Sequence, residues 1–72
     1  MNEATTKPRA LTESEVQRLV GEFRRFGEAG PAYEIVRIES KDRAWIRVVY
    51  SDEELSYPVA EVLADPIAET VP

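Results

Sequence analysis

The stretch that decides the fold is residues 33–59, which read YEIVRIESKDRAWIRVVYSDEELSYPV. Apolar residues alternate with polar ones in three parts of it, and this alternation places every second side chain on one face of a β-strand. Joining the second and third strands by the loop Ser51–Glu54 suits a type I turn. The resulting apolar pairs are Tyr50 with Leu55, Val48 with Tyr57, and Ile46 with Val59. The stretch therefore predicts an antiparallel meander of three strands.

The hairpin between the first two strands is compatible with two loops. A loop of residues 41–43 sets Arg37 opposite Arg47, where two like charges repel. A loop of residues 39–43 sets Arg37 beside Trp45, where a guanidinium can stack on the indole ring. We favour the longer loop, which places Val36 and Ile38 on the same face as Ile46.

The position of Pro58 indicates the order of the strands. Proline has no N–H to donate, so it belongs on an edge strand. In a simple meander the third strand is an edge, and the first strand is the other edge. An open edge invites pairing with another chain.

A helix is predicted from residue 13 to residue 26. Thr12 and Glu15 have the spacing of a capping box, and Leu11 and Val16 have that of a hydrophobic staple. Apolar residues then recur at helical steps, at Val16, Leu19, Val20, Phe23 and Phe26. Gly21 leaves an alternative open, with the helix ending at Val20 and residues 22–26 extended, because mid-helix glycine costs about 1 kcal/mol relative to alanine. We prefer the unbroken helix, with Gly27 as its left-handed terminator.

The ends of the chain complete the expected architecture. Residues 1–10 are polar and aperiodic, which predicts a disordered segment. Residues 60–64 are helix formers that stop before Pro66, which predicts one helical turn with Val62 or Leu63 under the sheet. Residues 66–72 are expected to be a mobile acidic tail. The prediction is an α+β domain over residues 11–65, with an N-terminal helix packed on a three-stranded antiparallel meander.

Composition limits the function classes. The 72 residues carry a net charge of −5 and include no Cys and no His. Imidazole bases, thiolate nucleophiles and most transition-metal ligands are therefore missing. Asp52, Glu53 and Glu54 are adjacent, but they are expected in a hairpin loop in water, whereas catalytic carboxylates require burial or a close partner. We expect no enzyme activity, no cofactor and no metal.

Size and charge distribution bear on partners and location. A single core is marginal at this length, so a homodimer is the expected support. The absence of an apolar run argues against a membrane span and makes the cytoplasm the default location. Residues 51–72 hold six acids and no base, which suits a basic protein partner and argues against general nucleic-acid affinity.

The second face of the predicted sheet is the candidate interaction surface. It mixes aromatic, aliphatic and arginine side chains, a composition enriched at protein interfaces. Its members are Tyr33, Ile35, Arg37, Trp45, Arg47 and Val49. The alternative interpretation is that one face packs against the helix while this one is merely half exposed.

The run Gly21–Val36 together with Glu54–Pro66 resembles a family of small bacterial proteins without an assigned activity. The resemblance is carried by a Gly-x-x-Arg-x-Phe-Gly pattern, a later Gly-Pro-x-Tyr-Glu, and a Tyr-Pro-Val segment near the end. It implies a bacterial source and an accessory role, and it assigns no functional residues.

The function predicted from these observations is a non-catalytic interaction or regulatory module, of an adaptor or antitoxin type. The antitoxin comparison is an analogy with acidic antitoxins that bind basic toxins. The alternative is a nucleic-acid-binding regulator that uses the arginine and aromatic side chains of the sheet, as single-stranded binders do.

Overall fold

The computed structural model describes residues 12–68 and shows an α+β fold with a four-stranded antiparallel sheet and two short helices. The helices and strands, in chain order, are α1 (Glu13–Gln17), β1 (Phe23–Arg25), β2 (Ala32–Ile38), β3 (Arg43–Val48), β4 (Glu54–Pro58) and α2 (Val59–Ala64). The strands are ordered β1-β2-β3-β4 across the sheet. The predicted fold class is thus confirmed, with one strand more than expected.

Helix α1 is much shorter than predicted. Its capping box is present, with Thr12 Oγ1 accepting from the amide of Glu15 and Glu15 Oε1 accepting from the amide of Thr12. The unbroken helix to Phe26 is wrong, because Gly21 has a φ of +93° and residues 23–25 are extended. Leu11, the other half of the predicted staple, and residues 1–10 lie outside the described residues.

Strand β1 forms because the edge of β2 offers unpaired backbone groups. Gly21 donates to the carbonyl of Ile35 at 2.8 Å, and Ile35 donates to that of Glu22 at 2.9 Å. A helix continued through Gly21 would leave these groups of β2 without partners, and unpaired buried backbone groups are costly. The alternative of an extended segment after Gly21 is therefore correct, although the strand covers only residues 23–25 and the helix ends at Gln17 rather than Val20. Strand β2 is thus an inner strand rather than an edge.

The β2–β3 hairpin has the longer of the two predicted loops. Ile38 pairs with Ala44 and Arg37 pairs with Trp45, so residues 39–43 form the loop. A β-bulge at Val36 then shifts the register, so that Ile35 rather than Val36 pairs with Ile46. Because a bulge adds one residue to one strand, it exchanges the two faces for every residue that precedes it.

The β3–β4 register also differs from the prediction. Ile46 pairs with Leu55, whereas it was expected opposite Val59. The displacement is an even number of residues, so the side chains within both strands keep their predicted faces. The pairing of Tyr50 with Leu55 is wrong, because β3 ends at Val48 and Tyr50 is exposed. Val59 is instead the first residue of α2, where it is buried. Pro58 lies on an edge strand, as its missing N–H predicted.

One face of the sheet, the inner face, packs against both helices. The core cluster joins α1 and α2 to β2 and β3 through eight buried residues: Val16, Leu19, Tyr33, Ile35, Ala44, Ile46, Val59 and Val62. Val62 is fully buried, whereas Leu63 remains 44% exposed. The helical turn under the sheet is thus confirmed, with Val62 as its anchor.

The chain continues past α2 along the free edge of β1. The amide of Arg25 donates to the carbonyl of Pro66 at 3.0 Å, and the amide of Ala68 donates to that of Phe23 at 2.9 Å. The predicted tail, 66–72, therefore begins too early, since residues 66–68 pair with the sheet. Residues 69–72 lie outside the described residues.

Candidate functional site

The sequence-predicted surface is divided between the two faces of the sheet. Tyr33 and Ile35 are fully buried in the core, so their assignment to the surface is wrong. The cause is the bulge at Val36, which turns these two side chains inward. Arg37, Trp45 and Arg47 lie on the opposite face, as predicted.

We call this opposite side the outer face. It carries side chains that pair across β2, β3 and β4, namely Arg47 with Glu34, Trp45 with Arg37 and Glu54, and Arg43 with Ser56. Within residues 12–68, both helices lie on the inner side of the sheet. The outer face is therefore covered by no described element.

Trp45 is the centre of the outer face. The guanidinium carbon of Arg37 lies 5.0 Å from the centroid of the indole ring, the stacking that favoured the longer loop. Trp45 Nε1 donates to Glu54 Oε1 at 2.6 Å. The indole is thus held in place from both sides, and such ordering lowers the entropy cost of using it in an interface.

Alternating charges surround Trp45. Arg47 forms an ion pair with Glu34, and Arg37 Nη2 lies 3.7 Å from Glu39 Oε2. Arg43 Nε donates to Ser56 Oγ at 3.1 Å. Sequence reasoning missed Glu34 because strict alternation places it on the inner face, and only the bulge brings it beside Arg47.

A groove continues the outer face at the end of β1 and β2. It has a volume of about 340 Å³ and is lined by Arg25, Pro31, Ala32, Val49 and Tyr50. Val49, the sixth residue of the predicted surface, lies in this groove rather than beside Trp45. Tyr50 is 92% exposed at the rim, an unusual position for a large aromatic side chain.

A second polar cluster, the Asp65 network, lies at the inner side of the sheet. Asp65 Oδ2 accepts hydrogen bonds from the hydroxyls of Tyr33 at 2.7 Å and Tyr57 at 3.0 Å, and Oδ1 accepts from the amide of Gly27 at 3.2 Å. Arg24 Nη1 donates to the carbonyls of Val62 and Asp65. The network thus ties the end of α2 to three strands.

The tyrosines of this network, Tyr33 and Tyr57, are weaker acids than a tyrosine in water. Burial, and then the hydrogen bond to the Asp65 carboxylate, raise the pKa of Tyr33 well above its usual value. The same causes, in the same order, raise the pKa of Tyr57 to about 12. Both hydroxyls therefore remain protonated donors at neutral pH, which suits a structural role rather than acid–base chemistry.

The three aromatic rings beside the network pack closely. The ring of Phe26 lies 4.5 Å from that of Tyr33 and 5.3 Å from that of Tyr57, between centroids. The sequence carried no signal for this cluster, since its members come from a turn and two non-adjacent strands. In the sequence, Asp65 is marked only by its place before Pro66.

Two absences are limited to the described part of the chain. Among residues 12–68, no group of three or more acidic side chains is arranged to hold a metal ion. Over the same residues, no helix has the length and apolar character needed to cross a bilayer.

Comparison with known proteins places the chain in a family. No curated protein matches it. A family model described as a family of unknown function, DUF5397, matches residues 8–69. The match includes both segments on which the resemblance to an uncharacterised family rested. The chain therefore belongs to the DUF5397 family of unknown function.

Proposed function

We propose that this domain is a non-catalytic interaction module that binds a second copy of itself through the outer face of its sheet. The observation that carries the proposal is the ordered Trp45 on a sheet face that no element of residues 12–68 covers. Trp, Tyr and Arg are the residue types that most often dominate binding energy. Trp45, Arg37 and Arg47 supply two of these types at one place.

Charge favours a second copy as the partner. The outer face and its margin carry four arginines and three glutamates: Arg25, Arg37, Arg43, Arg47, Glu34, Glu39 and Glu54. The whole chain has a net charge of −5, so the remaining surface is strongly acidic. Two copies repel each other least through the outer face, where a two-fold axis can place arginines of one copy against glutamates of the other.

The acidic remainder of the surface is available to a basic protein partner. Asp52, Glu53 and Glu61 are exposed on the β3–β4 loop and α2. A dimer would present this acidic surface twice, which increases avidity for a basic partner. The proposal thus retains the adaptor role expected from the sequence.

Nucleic-acid binding by the arginines has less support. Arg47 is paired with Glu34, and Arg24 is turned inward with a side-chain exposure of 11% and an ion pair to Glu22. An arginine already neutralised by a carboxylate gains less from a phosphate. An electrophoretic mobility shift at low salt measures this directly, and retardation there would favour the alternative.

The test of the dimer is the variant Trp45→Glu. We expect light scattering to show a dimer for the parent chain and a monomer for the variant, because the substitution removes the central ring and adds a buried charge to the interface. The matched control is Leu63→Glu, which places the same charge at an exposed apolar position of α2. This control should leave the mass unchanged.

Circular dichroism shows whether each variant is folded. A monomeric parent chain at high concentration would end the proposal of a second copy as partner. A dimer that persists in folded Trp45→Glu would exclude the outer face as its interface.

A further inference from the structure

The edge of β1 is occupied by the chain's own residues 66–68, which we call the strap. Its antiparallel bridge pairs Arg24 with Ile67. Two backbone hydrogen bonds flank the bridge, from Arg25 to Pro66 and from Ala68 to Phe23. The strap thus continues the sheet by the same bonding pattern that a further strand would use.

The two edges of the sheet differ in their capacity to accept a strand. Edge strand β4 ends at Pro58, which has no N–H to offer, and proline blunts an edge. Edge strand β1 presents a donor at Arg25 and an acceptor at Phe23, and the strap bonds to both. Pairing with another chain is therefore directed to the β1 edge.

The strap is attached unevenly. At its start, Asp65 is bound by two tyrosine hydroxyls and the Gly27 amide. Over the described residues 66–68, the pairing with β1 consists of the two backbone hydrogen bonds, and the Ile67 side chain is 59% exposed. Ala68 is the only strap side chain that is buried, at 8% exposure. A segment with few buried contacts opens at a lower free energy than the core.

We propose that the β1 edge is a binding site for an extended segment of a partner protein, and that the strap is the intramolecular competitor for this site. This is recognition by strand addition, in which backbone bonds provide the affinity and side-chain positions provide the specificity.

The strap shows which segment the edge accepts. The residue opposite Phe23 must be small, because Ala68 is buried there. The residue opposite Arg24 can have a branched side chain, because Ile67 is exposed at that position. The partner segment is therefore extended, with a small residue at the Ala68 position and an exposed side chain at the Ile67 position.

Amide hydrogen exchange of the unmodified chain is the first test. If the strap opens on its own, the Arg25 amide exchanges faster than the Ile35 amide, which bonds within the sheet to Glu22. Equal protection of the two amides would mean that the strap opens only with the whole domain, which would overturn the proposal.

A matched pair of proline variants in the strap is the second test. Ala68→Pro removes the donor to Phe23, whereas Ile67→Pro adds a proline where the N–H points away from β1, since alternate amides of a strand face opposite sides. We expect Ala68→Pro to accelerate exchange at Arg25 by about fivefold, the factor for one lost backbone hydrogen bond. Ile67→Pro should change the exchange rate of the Arg25 amide much less.

A synthetic peptide of residues 65–72 is the probe for binding. Added in excess to the full-length Ala68→Pro variant, it should restore protection at Arg25, and a peptide with Arg in place of the alanine should not. Failure of the peptide to restore protection would show that the edge accepts no segment in trans. Should Ala68→Pro unfold, the exchange test on the unmodified chain still decides the proposal.

These measurements do not depend on the proposed dimer. The outer-face test reads mass, and the strap tests read protection of one amide. The strap tests in a Trp45→Glu background keep the two interfaces separate.

Discussion

Replacing Asp65 with alanine tests whether the Asp65 network holds the end of α2 to the strands. The variant removes the acceptor for Tyr33, Tyr57 and Gly27 at once. Tyr33 is fully buried, so its hydroxyl would lose its acceptor, Asp65 Oδ2, in a place that water does not reach. An unsatisfied buried group costs about 1–3 kcal/mol, and bonds to a charged group contribute about 1.5–3 kcal/mol.

The expected loss of stability is about 2–4 kcal/mol, because water replaces part of the bonding at the exposed Gly27 amide and the half-buried Tyr57. A chain of this length has a free energy of unfolding of roughly 4–11 kcal/mol. The loss is therefore a large fraction of the total. With a urea slope of about 1 kcal/mol/M, the midpoint should fall by about 2–4 M.

Urea unfolding followed by the fluorescence of Trp45 measures the effect. Asp65→Asn is the matched control, since its amide oxygen still accepts one hydroxyl, and it should cost less. In a Tyr33→Phe background, Asp65→Ala should also cost less, because no buried hydroxyl is then left unpaired. A loss below about 0.5 kcal/mol, or an equal loss in both backgrounds, would refute the structural role of the network.

Two further predictions concern pH and glycine. Folding raises the pKa of Tyr57 from 10.0 to about 12. The contribution of Tyr57 to stability is therefore complete below pH 10, and it is lost as the pH rises through 12, because Tyr57 of the unfolded chain ionises first. Urea midpoints should fall from pH 9 to 12, and they should fall less in Tyr57→Phe. An unchanged slope in that variant would contradict this assignment. Gly30→Ala should lower the free energy of unfolding more than Gly21→Ala does. At Gly30 the added Cβ would lie 1.9 Å from the carbonyl oxygen of Phe26. At Gly21 the Cβ meets no atom within 4 Å, so the cost is that of the positive φ, about 1–2 kcal/mol. Equal losses in thermal unfolding would show that the turn at Gly30 relaxes freely.

The two proposed surfaces use different parts of the sheet. The outer face offers side chains around Trp45, and the β1 edge offers backbone groups that the strap covers. A dimer formed through the outer face would leave the β1 edge free to exchange its strap for a partner segment. The module could then hold two partner segments, one on each copy.

The sequence alone determined those features that depend on neighbouring residues. Gly27 has the predicted left-handed φ, although it lies between β1 and β2 and not at the end of a helix. The Thr12 and Glu15 capping box, the loop 39–43 with Arg37 on Trp45, and the end of α2 before Pro66 are all present. Each is decided by interactions within a few residues or by one cross-strand pair, and such patterns can be read from the order of residues.

Only the tertiary structure decided the features that depend on distant backbone groups. The stripe from Val16 to Phe26 fits a helix, yet the chain becomes extended after Gly21 because the edge of β2 needs hydrogen-bond partners. The bulge at Val36 buries Tyr33 and Ile35 and moves Glu34 outward, and no local pattern indicates one extra residue in a strand. The strap pairs with β1 although it lies more than forty residues away in the sequence. The free energy of these pairings comes from satisfied backbone groups and buried area across the whole sheet, which local periodicity does not contain.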